Sequence, residues 1–163
     1  MEFDFESLED LADHLELEPH IEGGFFRETY RSRETLSTPR GKRNKLTNIY
    51  YCLSSVDFSY WHRLIDADET LFFHSGSPVA IFVVVNGGVE RWLLGRRPSA
   101  RDEILIPANT WFAMRPLGTE PFSIMSCCVE PGFEYEDLDI ATPALFDEVP
   151  KKDHKLVQSL LKI

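Results

Sequence analysis

The feature that most constrains this chain is the two-residue periodicity of its middle. From Gly24 onward, segments rich in aromatic and β-branched residues follow one another at 25–32, 47–54, 58–65, 69–74, 79–85, 88–94, 103–106, 109–115 and 121–130. Alternation of this kind sends successive side chains to opposite faces of a strand. Asn86-Gly87-Gly88, between two of these segments, supplies the positive φ that a tight antiparallel hairpin demands. Gly76-Ser77-Pro78, Arg97-Pro98-Ser99, Pro116-Leu117-Gly118 and Pro131-Gly132 punctuate the others. Many short strands at close spacing point to an all-β sandwich or barrel.

Helical character is confined to the two ends. Ser7 followed by Asp10 resembles a helix start, and Leu8, Leu11, Ala12 and Leu15 recur at helical spacing before Pro19. Thr142-Pro143 opens a second short helix, and Leu156, Val157, Leu160 and Leu161 form a one-sided apolar stripe after Pro150. The polar 33–45 segment reads as a long surface loop. With 163 residues and no internal repeat or linker, the reading is one domain over 1–163, with a barrel core at about 24–138 and helical flanks at 7–17 and 142–163.

Charge narrows the partners. A net charge of −10 opposes binding to nucleic acid or to an anionic membrane surface. Arg27, Arg31, Arg33, Arg40, Lys42, Arg43 and Lys45 nevertheless make a basic stretch, either a solvated loop or a local site for a phosphorylated small molecule. No apolar run approaches the ~20 residues of a membrane span. The acidic start, Met1-Glu2-Phe3-Asp4-Phe5-Glu6, lacks the basic and then apolar character of a secretory signal, so the expected location is the cytoplasm. Cys52, Cys127 and Cys128 are odd in number and form no C-x-x-C pair, so all three are read as reduced core residues.

Chemistry concentrates in one stretch, His62-Arg-Leu-Ile-Asp-Ala-Asp-Glu69-Thr-Leu-Phe-Phe-His-Ser-Gly76. It resembles the first cupin motif in the spacing of its His, Glu and Gly, with Leu64 where a second histidine usually stands. Pro107-Ala-Asn109-Thr-Trp111-Phe112 is similar to the second cupin motif, with asparagine at the turn glycine and phenylalanine at the remaining histidine position. A metal, if present, would be held by His62 and Glu69 with a substitute such as His20 or Glu22, since three or four ligands are needed.

Over residues 17–140 the likeness is closer. His20-Ile-Glu22-Gly-Gly-Phe-Phe-Arg27-Glu28-Thr29-Tyr30-Arg31-Ser32, Phe58-Ser59-Tyr-Trp61-His62-Arg63, Asp68-Glu69, Gly76, Pro107-Ala108 with Trp111, and Pro131-Gly132-Phe133 resemble the small cupin family labelled "predicted sugar epimerase". That resemblance implies a cupin jelly-roll β-barrel (double-stranded β-helix) with short N- and C-terminal helices. It also implies a homodimer and a relationship to the dTDP-sugar epimerases. The family tends to have a glutamine-like residue where Phe112 stands and proline where Ile21 stands, which makes this pocket more apolar.

Strand parity extends the site. If His62 points inward, so do Tyr60 and Leu64; the same rule gathers Glu69, Leu71 and Phe73, and Thr110, Phe112 and Met114, into an aromatic cavity suited to a small-molecule ligand. Epimerisation next to a carbonyl needs one group to remove a carbon-bound proton and another to return it. His62 is the candidate base, Glu69 its orienting partner, and Tyr30, Tyr50 or Tyr60 the candidate acid. Glu22 sits at the barrel mouth, and Arg27 and Arg31 could hold an anionic group, whereas parity puts Arg63 on the face opposite His62. Three functions follow: an epimerase or isomerase of a small polar or nucleotide-linked sugar with no required cofactor, a non-catalytic binding cupin, and a divalent-metal enzyme.

Overall fold

In the computed structural model, which describes residues 5–163, the chain opens with α1 (Leu8–Leu15) and continues almost entirely in strands. These are β1 (Glu18–Pro19), β2 (Phe25–Arg31), β3 (Thr35–Thr38), β4 (Gly41–Asn44), β5 (Thr47–Ser54), β6 (Ser59–Leu64), β7 (Asp68–Gly76), β8 (Val79–Val85) and β9 (Gly88–Leu94). There follow β10 (Glu103–Ile106), β11 (Phe112–Pro116), β12 (Phe122–Glu130), β13 (Leu138–Ile140) and α2 (His154–Ser159). The acidic start discussed above lies, in residues 1–4, outside the described part. Among the described residues no helix is long and apolar enough to cross a membrane.

Two antiparallel sheets form the body, one in the order β1-β2-β5-β12-β7-β10 and the other β13-β6-β11-β8-β9. This is the all-β architecture expected from the alternation, and the jelly roll that the family resemblance implies. Its interior is built from the inward residues of both sheets, among them Tyr51, Leu53, Leu71, Phe73, Ile81, Val83, Phe112, Met114 and Met125. The hairpin from β8 to β9 turns through Asn86 and Gly87, both at positive φ, as the sequence indicates.

Each sheet is also covered on its outer face. Ser7 caps α1 by accepting from the Asp10 N–H, and Leu11 and Leu15 then bury against Cys52, Phe122 and Ile124. On the other sheet Leu145, Val149, Val157 and Leu160 cover Trp61, Ala80, Phe82 and Ala113. That double burial explains why Val79–Val85 reads as an unbroken apolar run rather than an alternating one. The segment opened by Thr142-Pro143 is a 3-10 turn at Pro143–Glu148 rather than an α-helix. All three cysteines are free.

The 33–45 segment is not a loop. It folds into the β3–β4 hairpin, turned at Gly41 with φ 106°, and is tied down by Asp137, which accepts from Arg40 Nε and from Arg43 Nε, both at 2.6 Å. Two arginines of the basic stretch thereby share one carboxylate almost one hundred residues away. No local sequence signal reports such a pairing.

Candidate functional site

The loop between β1 and β2 places the first functional side chain. Gly23 and Gly24 take φ values of +98° and +72°, and a Cβ at Gly23 would lie 2.4 Å from the Phe58 carbonyl oxygen. Only glycine allows the chain to turn this tightly against β6. The Tyr60 N–H donates to the Glu22 carbonyl at 2.7 Å, and the Tyr51 hydroxyl donates to the Gly23 carbonyl at 2.5 Å. The loop is thus pinned to both sheets, and the Glu22 side chain is turned into the barrel, 9% exposed.

Opposite it stands His62 on β6. Nδ1 donates to the Tyr60 carbonyl at 2.7 Å; a carbonyl only accepts, so the ring proton is on Nδ1 and the lone pair of the neutral ring is on Nε2. Nε2 lies 3.2 Å from Glu22 Oε2, yet this buried atom makes no hydrogen bond of its own. The ring packs on Phe112 at 4.2 Å between centroids. Burial holds the His62 pKa below its ordinary value, against the pull of Glu69.

Two further titratable groups complete the cluster. Burial, reinforced by Glu22, raises the Glu69 pKa to about 7, and burial likewise pushes Glu22 upward against the opposing influence of His20 and the Tyr51 hydroxyl. His20 accepts from the Glu22 N–H at Nδ1, which leaves its proton on Nε2, and burial lowers its pKa. Near neutrality the site therefore holds two uncharged imidazoles beside two carboxyl groups whose hold on a proton burial strengthens.

Glu22, Glu69 and His20 line a cavity of about 470 Å³ whose other walls include Phe26, Ile49, Leu64, Val129, Phe133 and Tyr135. His62 is 1% exposed and is not among the lining residues. Of the pair, Glu22 lines the cavity and His62 does not. Arg27 and Arg31 also line the cavity. Arg27 is bound to Glu16 at 3.3 Å, and Arg31 to Glu28 at 2.9 Å and Glu134 at 3.0 Å.

The remaining expected residues fall elsewhere. Phe73, Phe112 and Met114 are buried in the close-packed interior and do not line the cavity, so the aromatic hollow anticipated there is filled. Tyr60 is not brought to the cavity either: β6 carries one more residue than β11 between the pairs Phe112–His62 and Met114–Ser59, and this bulge breaks the parity that linked Tyr60 to His62. Its ring packs on Phe58 and lies 5.8 Å from the Lys162 ammonium. Tyr30 is 55% exposed, and Tyr50 packs with the α1 cluster and beside His74. The buried tyrosine is Tyr51, which sequence reasoning missed although Thr47, Ile49, Tyr51 and Leu53 share one face of an alternating strand. Arg63 stacks on Trp111 at 4.2 Å and donates to Asp139, in keeping with a structural role.

Two of the cupin ligand positions carry no donor atom. Leu64 and Phe112 offer hydrocarbon, and among the described residues no three His, Cys, Asp or Glu side chains are disposed to hold a metal. The donor set does not fit a resident ion. The chemistry these residues can perform is proton transfer.

Comparison with known proteins agrees with this architecture. Residues 9–141 match the family model described as Cupin superfamily (DUF985). The chain is similar to the crystal structure of protein SO0799 from Shewanella oneidensis, at 30% identity and a TM-score of 0.84, covering 97% of this chain and 99% of that one. It is also similar to a hypothetical protein from Leishmania major, at 27% identity and a TM-score of 0.87, covering 96% and 99%. Oxalate decarboxylase from Bacillus subtilis shares the fold alone, at 15% identity and a TM-score of 0.57, over 85% of this chain and 36% of that one. No curated protein matches.

Proposed function

This chain belongs to the cupin superfamily family DUF985, and from that premise we propose that it is an isomerase or epimerase moving a carbon-bound proton of a small polar substrate. The observation that carries the reading is the 3.2 Å approach of Glu22 Oε2, on the cavity wall, to the unpartnered His62 Nε2 behind it. The Nε2 lone pair takes the Glu22 proton, and the carboxylate so formed takes a proton from carbon next to a substrate carbonyl. The C–H electron pair becomes the carbon–carbon double bond of an enolate, whose oxygen gains the charge. Glu69, with its pKa near 7, is matched to supply a proton at neutral pH. Glu22 and Glu69 are the catalytic residues on this reading, and His62 is a positioning and relay residue.

The test is deuterium uptake from heavy water into a panel of sugars, free and nucleotide-linked. The expected result is label at one carbon next to a carbonyl, with a loss of about 100-fold or more in Glu22→Gln. No label across the panel, or full exchange by Glu22→Gln, would overturn the reading.

A second reading, a binding cupin without catalysis, is favoured by the hydrocarbon at Leu64 and Phe112 in the usual ligand positions. A ligand at about 100 times its dissociation constant raises stability by ~2.7 kcal/mol. Recovery of such a ligand unchanged selects this second reading. The family resemblance also leads us to propose a homodimer, which sedimentation velocity tests.

A further inference from the structure

Resting on the assignment of the cavity as the substrate site, we propose that the molecule it accepts carries a cationic, ammonium-like group and not a phosphate. The walls supply both halves of such a site. Glu16, Glu18, Glu28 and Glu134 line it beside Arg27 and Arg31, so the carboxylates outnumber the guanidiniums even when the two buried glutamates are left out. Both guanidiniums are already occupied by Glu16, Glu28 and Glu134, and an incoming phosphate would have to break those pairs. Among the described residues Glu18 has no ion pair and remains available to a ligand cation.

Aromatic faces complete the arrangement. Phe133 and Tyr135 pack edge to face at 5.1 Å, and both lie within 6.3 Å of the His20 ring, which also meets Phe26 at 4.7 Å. All four rings line the cavity, and a ring face attracts a cation through its quadrupole. Glu22, itself more than nine-tenths buried, adds a carboxyl group to the same wall. Acidic side chains and aromatic walls around one cavity are what a small amine-bearing polar molecule requires. The Tyr135 phenol agrees with this field: burial raises its pKa, and Glu18, Glu22 and Glu28 raise it further.

The experiment is an NMR titration of the full chain, with aromatic ¹³C labels, against tetramethylammonium chloride, tert-butanol as its uncharged counterpart, and inorganic phosphate, all at constant ionic strength. Tetramethylammonium should saturate shifts at Phe26, Phe133 and Tyr135, bind about tenfold or more tightly than tert-butanol, and weaken about fivefold in Tyr135→Leu and in Glu18→Gln. Both variants alter exposed side chains, and unchanged melting temperatures confirm their folding. Phosphate binding more tightly than tetramethylammonium, or equal binding of tetramethylammonium and tert-butanol, overturns the inference. Deuterium exchange into a neutral sugar without any tetramethylammonium binding overturns it too, and leaves the Glu22–His62 reading standing.

Discussion

The imidazole Nε2 of His62 lies 3.2 Å from Oε2 of Glu22, and both side chains are more than nine-tenths buried. Two residues forty positions apart are brought to this distance by a glycine pair that folds back on β6 and by a bulge that turns His62 inward.

The raised pKa of Glu69 sets a pH dependence whose sign can be worked out. In the unfolded chain this carboxyl loses its proton near its ordinary value, whereas in the folded chain it keeps it until about pH 7. Between those values the folded state binds more protons, so this group makes stability fall as pH rises. Glu69→Gln should remove that slope and be more stable than the wild type at pH 8 by about 3 kcal/mol. Urea unfolding at pH 5 and pH 8 measures it, and parallel pH trends in the two proteins contradict it.

Gly23→Ala should destabilise the fold and displace Glu22. A methyl group at this position meets the Phe58 carbonyl at 2.4 Å and must adopt φ near +98°. A loss of about 1–3 kcal/mol is expected from strain of this kind, read by urea unfolding. Deuterium exchange should fall with it even under conditions where the variant remains folded.

Asp137→Asn should loosen the β3–β4 hairpin. Its carboxylate accepts from both Arg40 and Arg43, and the Arg43 guanidinium first, then Arg40, holds its pKa below the ordinary value against burial. That stabilisation is present above the unfolded pKa and is lost as pH falls through the folded one. Limited proteolysis in the 33–45 segment should run about tenfold faster in the variant at pH 7. Unaltered cleavage would show that the hairpin holds without its tether.

How much of this was legible in the sequence follows from which interactions are local. Alternation and turn residues gave eight of the nine anticipated strands close to their observed limits, because each depends on neighbours along the chain. The 109–115 segment starts late, at Phe112, because Asn109 adopts φ +63° in the preceding turn, the conformation a glycine would take. The β3–β4 hairpin was missed because its tether comes from Asp137. Motif spacing points to His62 and Glu69 and the Gly23-Gly24 pair to Glu22, whereas parity misplaces Tyr60 because it cannot foresee a bulge. Tyr51 lies on the inward face that the alternation of Thr47–Ser54 defines. Phe73, Phe112 and Met114 were correctly expected inside the barrel, but periodicity gives direction without telling a packed interior from an open one.

The lack of a suitable donor set predicts that metal is dispensable. Protein purified without chelator should carry far less than one transition-metal ion per chain, and dialysis against EDTA should leave its melting temperature unchanged within about 1 °C. One tightly held ion per chain, lost together with several degrees of stability, would contradict the donor-set argument.

Most direct of all is the protonation state of His62. A long-range ¹H–¹⁵N spectrum of the imidazole at pH 7 should show a proton on Nδ1 and a bare, acceptor-type Nε2, the neutral ring predominating because burial lowers its pKa; Glu22→Ala should perturb this resonance more than that of any other histidine except His20. A ring protonated on both nitrogens at pH 7, or one carrying its proton on Nε2, would mean that no lone pair faces Glu22 and that the proposed proton relay does not exist.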